Sequence, residues 1–285
     1  MSFLLLLGLL SAAFVMTLFV LAPRIGRARW ARQTQAFRAR LHAESHAPLP
    51  PIYLEETELP GLPAPVQRYF RAVLRDGQPI LHSADIHTAG RFLLDAEKDR
   101  WAPFDATQHM VAQPAGFDWT ARMRMGHGLS VYVRDAYAQG EGVLRADLLG
   151  LIPVMHLHGT PDLAEGELLR YLAESVWLPT RLLPSQGVRW KAIDDASACA
   201  TLTEGTTAVS LEFRFDPEGL ITSVWTPARP RLDGKQIVPT PWLGRWTQYG
   251  VYHGMRIPIE GEVSWQLPNG NLTYWRGRLL DAHYR

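Results

Sequence analysis

The stretch Thr160–Trp190, TPDLAEGELLRYLAESVWLPTRLLPSQGVRW, decides how the chain is built. It is the one segment of the second half that reads as helix, and strand-like sequence flanks it on both sides. Thr160 is placed to accept from a first-turn N–H, and Pro161 sits where a missing N–H costs nothing. Asp162, Glu165 and Glu167 put negative charge at the positive end of the helix dipole. Leu168, Leu169, Leu172, Val176 and Trp177, edged by Leu163, Tyr171 and Ala173, then form an apolar stripe wider than a surface helix needs. Pro179 ends the helix, and Pro184 with Gly187 turns the chain into a strand carrying Trp190. Burying five such side chains is worth on the order of 10 kcal/mol before entropy. A helix over Thr160–Leu178 with so broad a stripe needs a sheet to cover it.

Strand signals are plentiful. Ahead of the helix, short runs separated by turn residues fall at 80–94, 102–112, 117–125, 129–138, 142–149 and 153–158. Behind it they resume at 188–193, 198–203, 208–215, 220–228, 246–253, 259–266 and 272–284. Asp216-Pro-Glu-Gly219 and Pro268-Asn-Gly-Asn271 have the chemistry of tight hairpin turns. A sheet of about a dozen strands must curl. The expected fold is α+β: a large curved antiparallel sheet resembling half a barrel, with the central helix on its concave face. Two small β-domains joined by the helix are the rival layout.

The N-terminal part reads differently. Phe3–Ala22 is twenty residues long, holds eight Leu and three Phe, and departs from apolar only at Gly8, Ser11 and Thr17. That length and composition predict an uncleaved transmembrane anchor. Six of the 29 basic residues (Arg24, Arg27, Arg29, Arg32, Arg38 and Arg40) precede the first acid, Glu44, which by the positive-inside rule puts the domain on the cytoplasmic side of an inner membrane. Residues 45–285 carry 23 bases against 27 acids, a poor match to a nucleic-acid partner. Residues 23–45 are expected to continue as a basic juxtamembrane helix. Residues 46–63 read as a proline-rich spacer, since six prolines fall between His46 and Pro65. Residues 64–285 then form a single β-rich domain, opened by an amphipathic helix over Ala64–Asp76. The lone cysteine, Cys199, allows no internal disulfide.

The segments LPAPVQRYF (62–70), GFDW (116–119), RYLAE (170–174) with Trp177 and Pro179, and VRWKAIDDASACAT (188–201) resemble a family of bacterial membrane-anchored proteins without assigned function. That resemblance brings no catalytic residue with it. In order of elements, six strands, a helix and more strands are similar to the lipoprotein-carrier half-barrel, whose curved sheet encloses an apolar cavity.

Few groups point to chemistry. His156 and His158 share one face of a strand without a visible third metal ligand. Asp194-Asp195 is explained by a turn, Arg170 and Glu174 by a helical pair, and Cys199 by a small strand residue. There is no nucleophile elbow, phosphate loop, HExxH or paired-cysteine site. No catalytic residue, metal or cofactor is therefore expected. The aromatic load of ten Trp, nine Tyr and ten Phe instead favours a non-enzymatic domain that binds a membrane lipid or other hydrophobic ligand. Phe117, Trp119, Tyr171, Trp177 and Trp190 are the candidate ligand-binding residues. A scaffold that engages a membrane protein partner, and a hydrolase or metal enzyme using His156, His158 or Asp194, remain as alternatives.

Overall fold

A computed structural model describes residues 3–41, 51–126, 128–234 and 236–285, and of residues 3–20 the backbone alone. Thirteen strands form one antiparallel sheet. The first six are β1 (Ser83–Asp95), β2 (Arg100–Val111), β3 (Gly116–Gly126), β4 (Leu129–Ala138), β5 (Glu141–Leu148) and β6 (Ile152–His158). The rest are β7 (Arg189–Asp194), β8 (Ser197–Glu204), β9 (Thr207–Phe215), β10 (Ile221–Asp233), β11 (Gln236–Tyr252), β12 (Met255–Leu267) and β13 (Gly270–Tyr284). Every expected strand is present.

The order across the sheet is β6-β5-β4-β3-β2-β1-β13-β12-β11-β10-β9-β8-β7. Two meanders therefore lie side by side, sealed where β1 pairs with β13. Their free edges, β6 and β7, are consecutive in the chain and joined by the central helix. That connection forces the architecture, because a helix linking opposite edges of one sheet must cross its face. The helix α3 (Pro161–Glu174) touches β4 and β5 on one side and β9 and β10 on the other, so the sheet wraps it. This is the curved half-barrel anticipated from the stripe on that helix.

Local chemistry fixes α3 as expected. The Thr160 hydroxyl accepts from Leu163 N at 3.3 Å. Leu168, Leu169, Tyr171, Leu172 and Ala173 are all buried. Three short 3₁₀ turns then carry the chain to β7, burying Val176, Trp177, Leu178, Leu182 and Leu183. Arg181 is buried with them and donates to Gln186 O at 2.7 Å and to the Tyr171 hydroxyl at 2.9 Å. The sheet makes room through glycine. Gly277 and Gly261 pair across β12 and β13, and a Cβ on them would lie 2.3 Å from the Trp275 ring and 2.7 Å from the Trp246 ring respectively. Both indoles thus lie over bare backbone, and Trp246 meets Trp177 edge-on at 5.0 Å.

Of the expected spacer over 46–63, residues 46–50 lie outside the described residues, and residues 51–63 pack on the domain. Ile52 exchanges backbone hydrogen bonds with Gln78 and Gly77, and Ile52, Leu54 and Leu59 enter the main core. The prolines set the path of a strap whose apolar residues are buried, and the proline count alone hides that. The strap leads to α2 (Ala64–Val73), which buries Val66, Tyr69, Phe70 and Val73. It ends three residues earlier than expected because Leu74 turns extended into the core.

The first helix, α1 (Phe3–Leu41), runs unbroken through Pro23. The expected single-pass inner-membrane placement is corrected here: among the described residues, no helix is long and apolar enough to cross a membrane. The side chains of residues 3–20, on which that expectation rested, lie outside the described residues. The part of α1 whose side chains are described is arginine-rich and packs on the convex face of the sheet. Gly26 lets the backbones meet, since a Cβ there would be 1.8 Å from Leu149 O. Farther along, Arg38 and Arg134 both hold the fully buried Asp118, at 2.9 and 2.7 Å.

Candidate functional site

Between α3 and the concave face, one cleft stays open at the end where the β10–β11 hairpin leans over the helix. It holds about 50 Å³ of free space, room for a few water-sized groups. Phe92, Trp119, Trp242, Tyr274 and Trp275 form its walls, and Asp135, Arg170, Glu174 and Arg229 its floor.

Register explains the assembly. Gln108, Trp119 and Asp135 are partners across β2, β3 and β4, so one row of the sheet delivers all three to the concave side. From α3, Arg170 reaches Asp135 at 2.5 Å and Glu174 at 2.9 Å. Glu174 also accepts from Gln108 Nε2 at 2.7 Å. The Arg170 guanidinium lies over the Phe117 and Trp119 rings, with centroids at 5.2 and 5.0 Å. From β10, Arg229 donates to Gly166 O at 3.1 Å and to the Tyr274 hydroxyl at 3.2 Å, and lies over Trp242 at 4.9 Å.

Hydrogen bonding at this end is incomplete. Asp135 Oδ1 and Glu167 Oε2 are buried with no hydrogen-bond partner among the described residues. Burial, then the neighbouring Asp135 charge, pushes the Glu167 carboxyl up to about 8, against the pull of Arg229 and Arg170. Asp135 is raised as well, by the same desolvation, although Arg170 and Arg229 oppose it. The Tyr274 hydroxyl accepts from Trp242 Nε1 at 2.9 Å as well as from Arg229, which occupies both lone pairs and leaves its hydrogen for an acceptor in the cleft. The cleft thus offers one unmet acceptor, Asp135 Oδ1, and one donor, the Tyr274 hydroxyl, beside an aromatic wall, while Glu167 lies next to this group without bordering the free space.

Of the five residues expected to bind ligand, only Trp119 borders this cleft. Phe117 sits behind it under Arg170. Tyr171 is fully buried and donates to Val111 O at 2.7 Å, and Trp177 donates to Pro258 O at 3.0 Å. Trp190 donates to Leu182 O at 3.0 Å and packs on Phe213. Tyr171, Trp177 and Trp190 are core aromatics whose polar atoms are already satisfied. Arg170 and Glu174, read from sequence as a structural couple, are central to the cleft. His156 and His158 lie on the exposed edge strand β6 with their rings tilted at 41° and their centroids 5.0 Å apart, while Asp194 caps a turn by accepting from Ala196 N at 2.8 Å. Among the described residues no group of three His, Cys, Asp or Glu side chains could hold a metal ion.

Fold and cleft together define a class: an open antiparallel half-barrel, crossed inside by one helix, with a charged and aromatic cleft at one end. The chain belongs to the family of unknown function DUF6920, whose family model matches residues 60–284. No curated protein matches it. Among solved structures, a LolA superfamily protein from Nitrosomonas europaea is similar at 10% identity and a TM-score of 0.41, over 78% of this chain and 92% of that one. A putative outer membrane lipoprotein-sorting protein domain from Vibrio parahaemolyticus is similar at 8% identity and a TM-score of 0.36, over 72% and 86%. A DUF1329 family protein from Desulfovibrio piger gives 9% and 0.35 over the same shares. At these scores the likeness is one of outline, a weak architectural similarity to the half-barrel.

Proposed function

We propose that the domain is a non-enzymatic binding module for a hydrophobic or amphiphilic molecule whose polar end enters the cleft beneath the β10–β11 hairpin. One observation carries this reading: the buried Asp135 Oδ1, without a hydrogen-bond partner among the described residues, borders an open cleft of the concave face beside an aromatic wall. Leaving that acceptor dry costs free energy that a donor-bearing head group would recover. The ligand's apolar part would lie against Phe92, Trp242 and Trp275. The hairpin that carries Arg229 continues this apolar surface through the exposed Leu232, Ile237 and Val238.

Native mass spectrometry of the full chain, with solvent extraction of the same sample, tests the proposal. A co-purifying amphiphile should be present, and Trp242→Ala should lose it while keeping the wild-type circular dichroism spectrum. A chain that carries no extractable ligand and takes up no fluorescent fatty acid or fatty amine would overturn the reading. A protein-interaction role is the second reading, and it rests on edge strand β6, which exposes Ile152, Val154 and Met155 beside an unpaired row of backbone groups.

A further inference from the structure

A second cavity lies on the opposite side of the sheet, where α1 crosses the convex face. It is a groove of about 680 Å³ between the helix and the outer surface of β2, β3 and β4. Three arginines line it, Arg27 from α1 and Arg122 and Arg124 from β3, with Thr107 and a single acid, Asp105. That acid is already engaged, since His87 Nε2 lies 3.0 Å from its Oδ2. Arg122 spends Nε on the Ser130 hydroxyl at 3.0 Å. Arg27 and Arg124 have neither an ion pair nor a hydrogen bond among the described residues.

The contrast with the rest of the convex face is instructive. On β11–β13, Arg245 and Arg276 pair with Glu262, and Arg278 pairs with Glu260. There the basic residues are balanced, and beside α1 they are not. An independent observation points the same way. Trp30 borders the groove and is only 3% exposed, yet its indole N–H has no acceptor. The ring is held by Tyr132 at 5.7 Å and by the Arg134 and Arg145 guanidiniums over its face, so it is not free to turn away. Thr107 Oγ1 accepts from Arg38 at 3.0 Å, which leaves its own hydrogen to give.

We propose that this groove is a binding site for a phosphate ester. Guanidinium forks match phosphate oxygens in pairs, the Trp30 indole and the Thr107 hydroxyl add donors beside them, and Gln35, which also borders the groove, adds an amide. A carboxylate would leave part of that set unused. The site is separate from the concave cleft and uses none of its residues.

The full chain is titrated at low salt with inorganic phosphate and with glycerol 3-phosphate, and is floated with vesicles of phosphatidylcholine with and without phosphatidic acid. Binding of glycerol 3-phosphate, at least as tight as that of inorganic phosphate, identifies a free phosphate ester as the ligand class. Binding confined to the acidic vesicles, in excess over the neutral ones, identifies a lipid head group, and either result supports the site. Arg27→Gln/Arg124→Gln should weaken that binding by about tenfold or more per guanidinium. Its melting temperature should not change, because neither side chain holds a partner. Trp30→Phe keeps the ring and removes the donor, and should weaken binding several-fold by itself. Absence of binding to all three phosphate probes, or equal binding by the double variant, overturns the proposal.

Discussion

Replacing Arg170 by methionine should be among the most damaging single changes available in this domain. The guanidinium is the near partner of two carboxylates, Asp135 at 2.5 Å and Glu174 at 2.9 Å, and it also pulls on Glu167. Methionine would fill much of the same volume, so packing against Phe117 and Trp119 is largely kept. What goes is charge. Glu174 would retain Gln108 as a donor, and Asp135 would retain only the more distant Arg229. Breaking a buried ion pair by removing one partner costs about 3–5 kcal/mol. For a domain of this size each kcal/mol moves the melting temperature by about 2–4 °C, so a fall of about 6–20 °C is expected. Differential scanning calorimetry at pH 7 measures it. The loss should shrink at pH 5, where the stranded carboxyls can take up protons, and should be partly recovered in Arg170→Met/Asp135→Asn. Arg278→Met removes an exposed pair of similar length, 3.2 Å, and should cost no more than about 0.5 kcal/mol. An Arg170→Met protein melting within about 2 °C of the parent at pH 7 would refute the view that Arg170 neutralises the cleft.

Three further outcomes are expected. Glu167 binds its proton more tightly folded than unfolded, so the folded state holds more protons between the ordinary carboxyl range and about 8, and stability falls as pH rises through that window. Glu167→Gln should therefore raise the melting temperature at pH 8.5 and change it far less at pH 5; equal effects at both would contradict the assignment. Leu172→Asp puts a carboxylate at a fully buried position of α3 and should abolish cooperative unfolding at neutral pH, read by near-ultraviolet circular dichroism. Asp118→Asn strands Arg38 and Arg134 under α1. It should loosen that helix from the convex face, seen as faster proteolysis between Arg24 and Arg40 with the sheet intact.

Much of the fold was legible because its signals are local. Alternation, turn residues and the stripe on α3 each act within a few positions, and together they imply a sheet large enough to curl around one helix. The cleft was less legible, for two reasons. Its floor gathers residues from β4, α3 and β10, and no spacing along the chain links Asp135 to Arg229. One wall also hides in a segment that reads against strand: Pro227, Pro230, Pro239 and Pro241 argue for a loop, yet β10 runs to Asp233 and β11 begins at Gln236, with Pro230 opposite Pro239. Prolines facing each other in a two-stranded arm lose no ladder bond to a third strand. Arg229 and Trp242 belong to that arm. The aromatic count pointed to the right kind of wall, but Tyr171, Trp177 and Trp190 have their polar atoms paired inside, which only the tertiary structure reveals. The unpaired Glu167 and Asp135 oxygens are the signal that sequence could not supply.

The seam between β1 and β13 has a consequence for how the chain reaches this shape. Ser83 and Ala84, in the first strand of the sheet, are hydrogen-bonded or paired with Arg285 and Tyr284 at the end of its last, so the middle of the sheet is closed by the strand that is made after the other twelve. Until β13 arrives, β1 and β12 each present an open edge, and the chain joins the two meanders through α3 and the short turns after it. Pairing across so long a stretch of chain is entropically slow, and an incomplete sheet with open edges is prone to associate with its neighbours. The rate at which β13 is made after β12, and chaperone capture of the waiting halves, should therefore govern the yield of folded sheet.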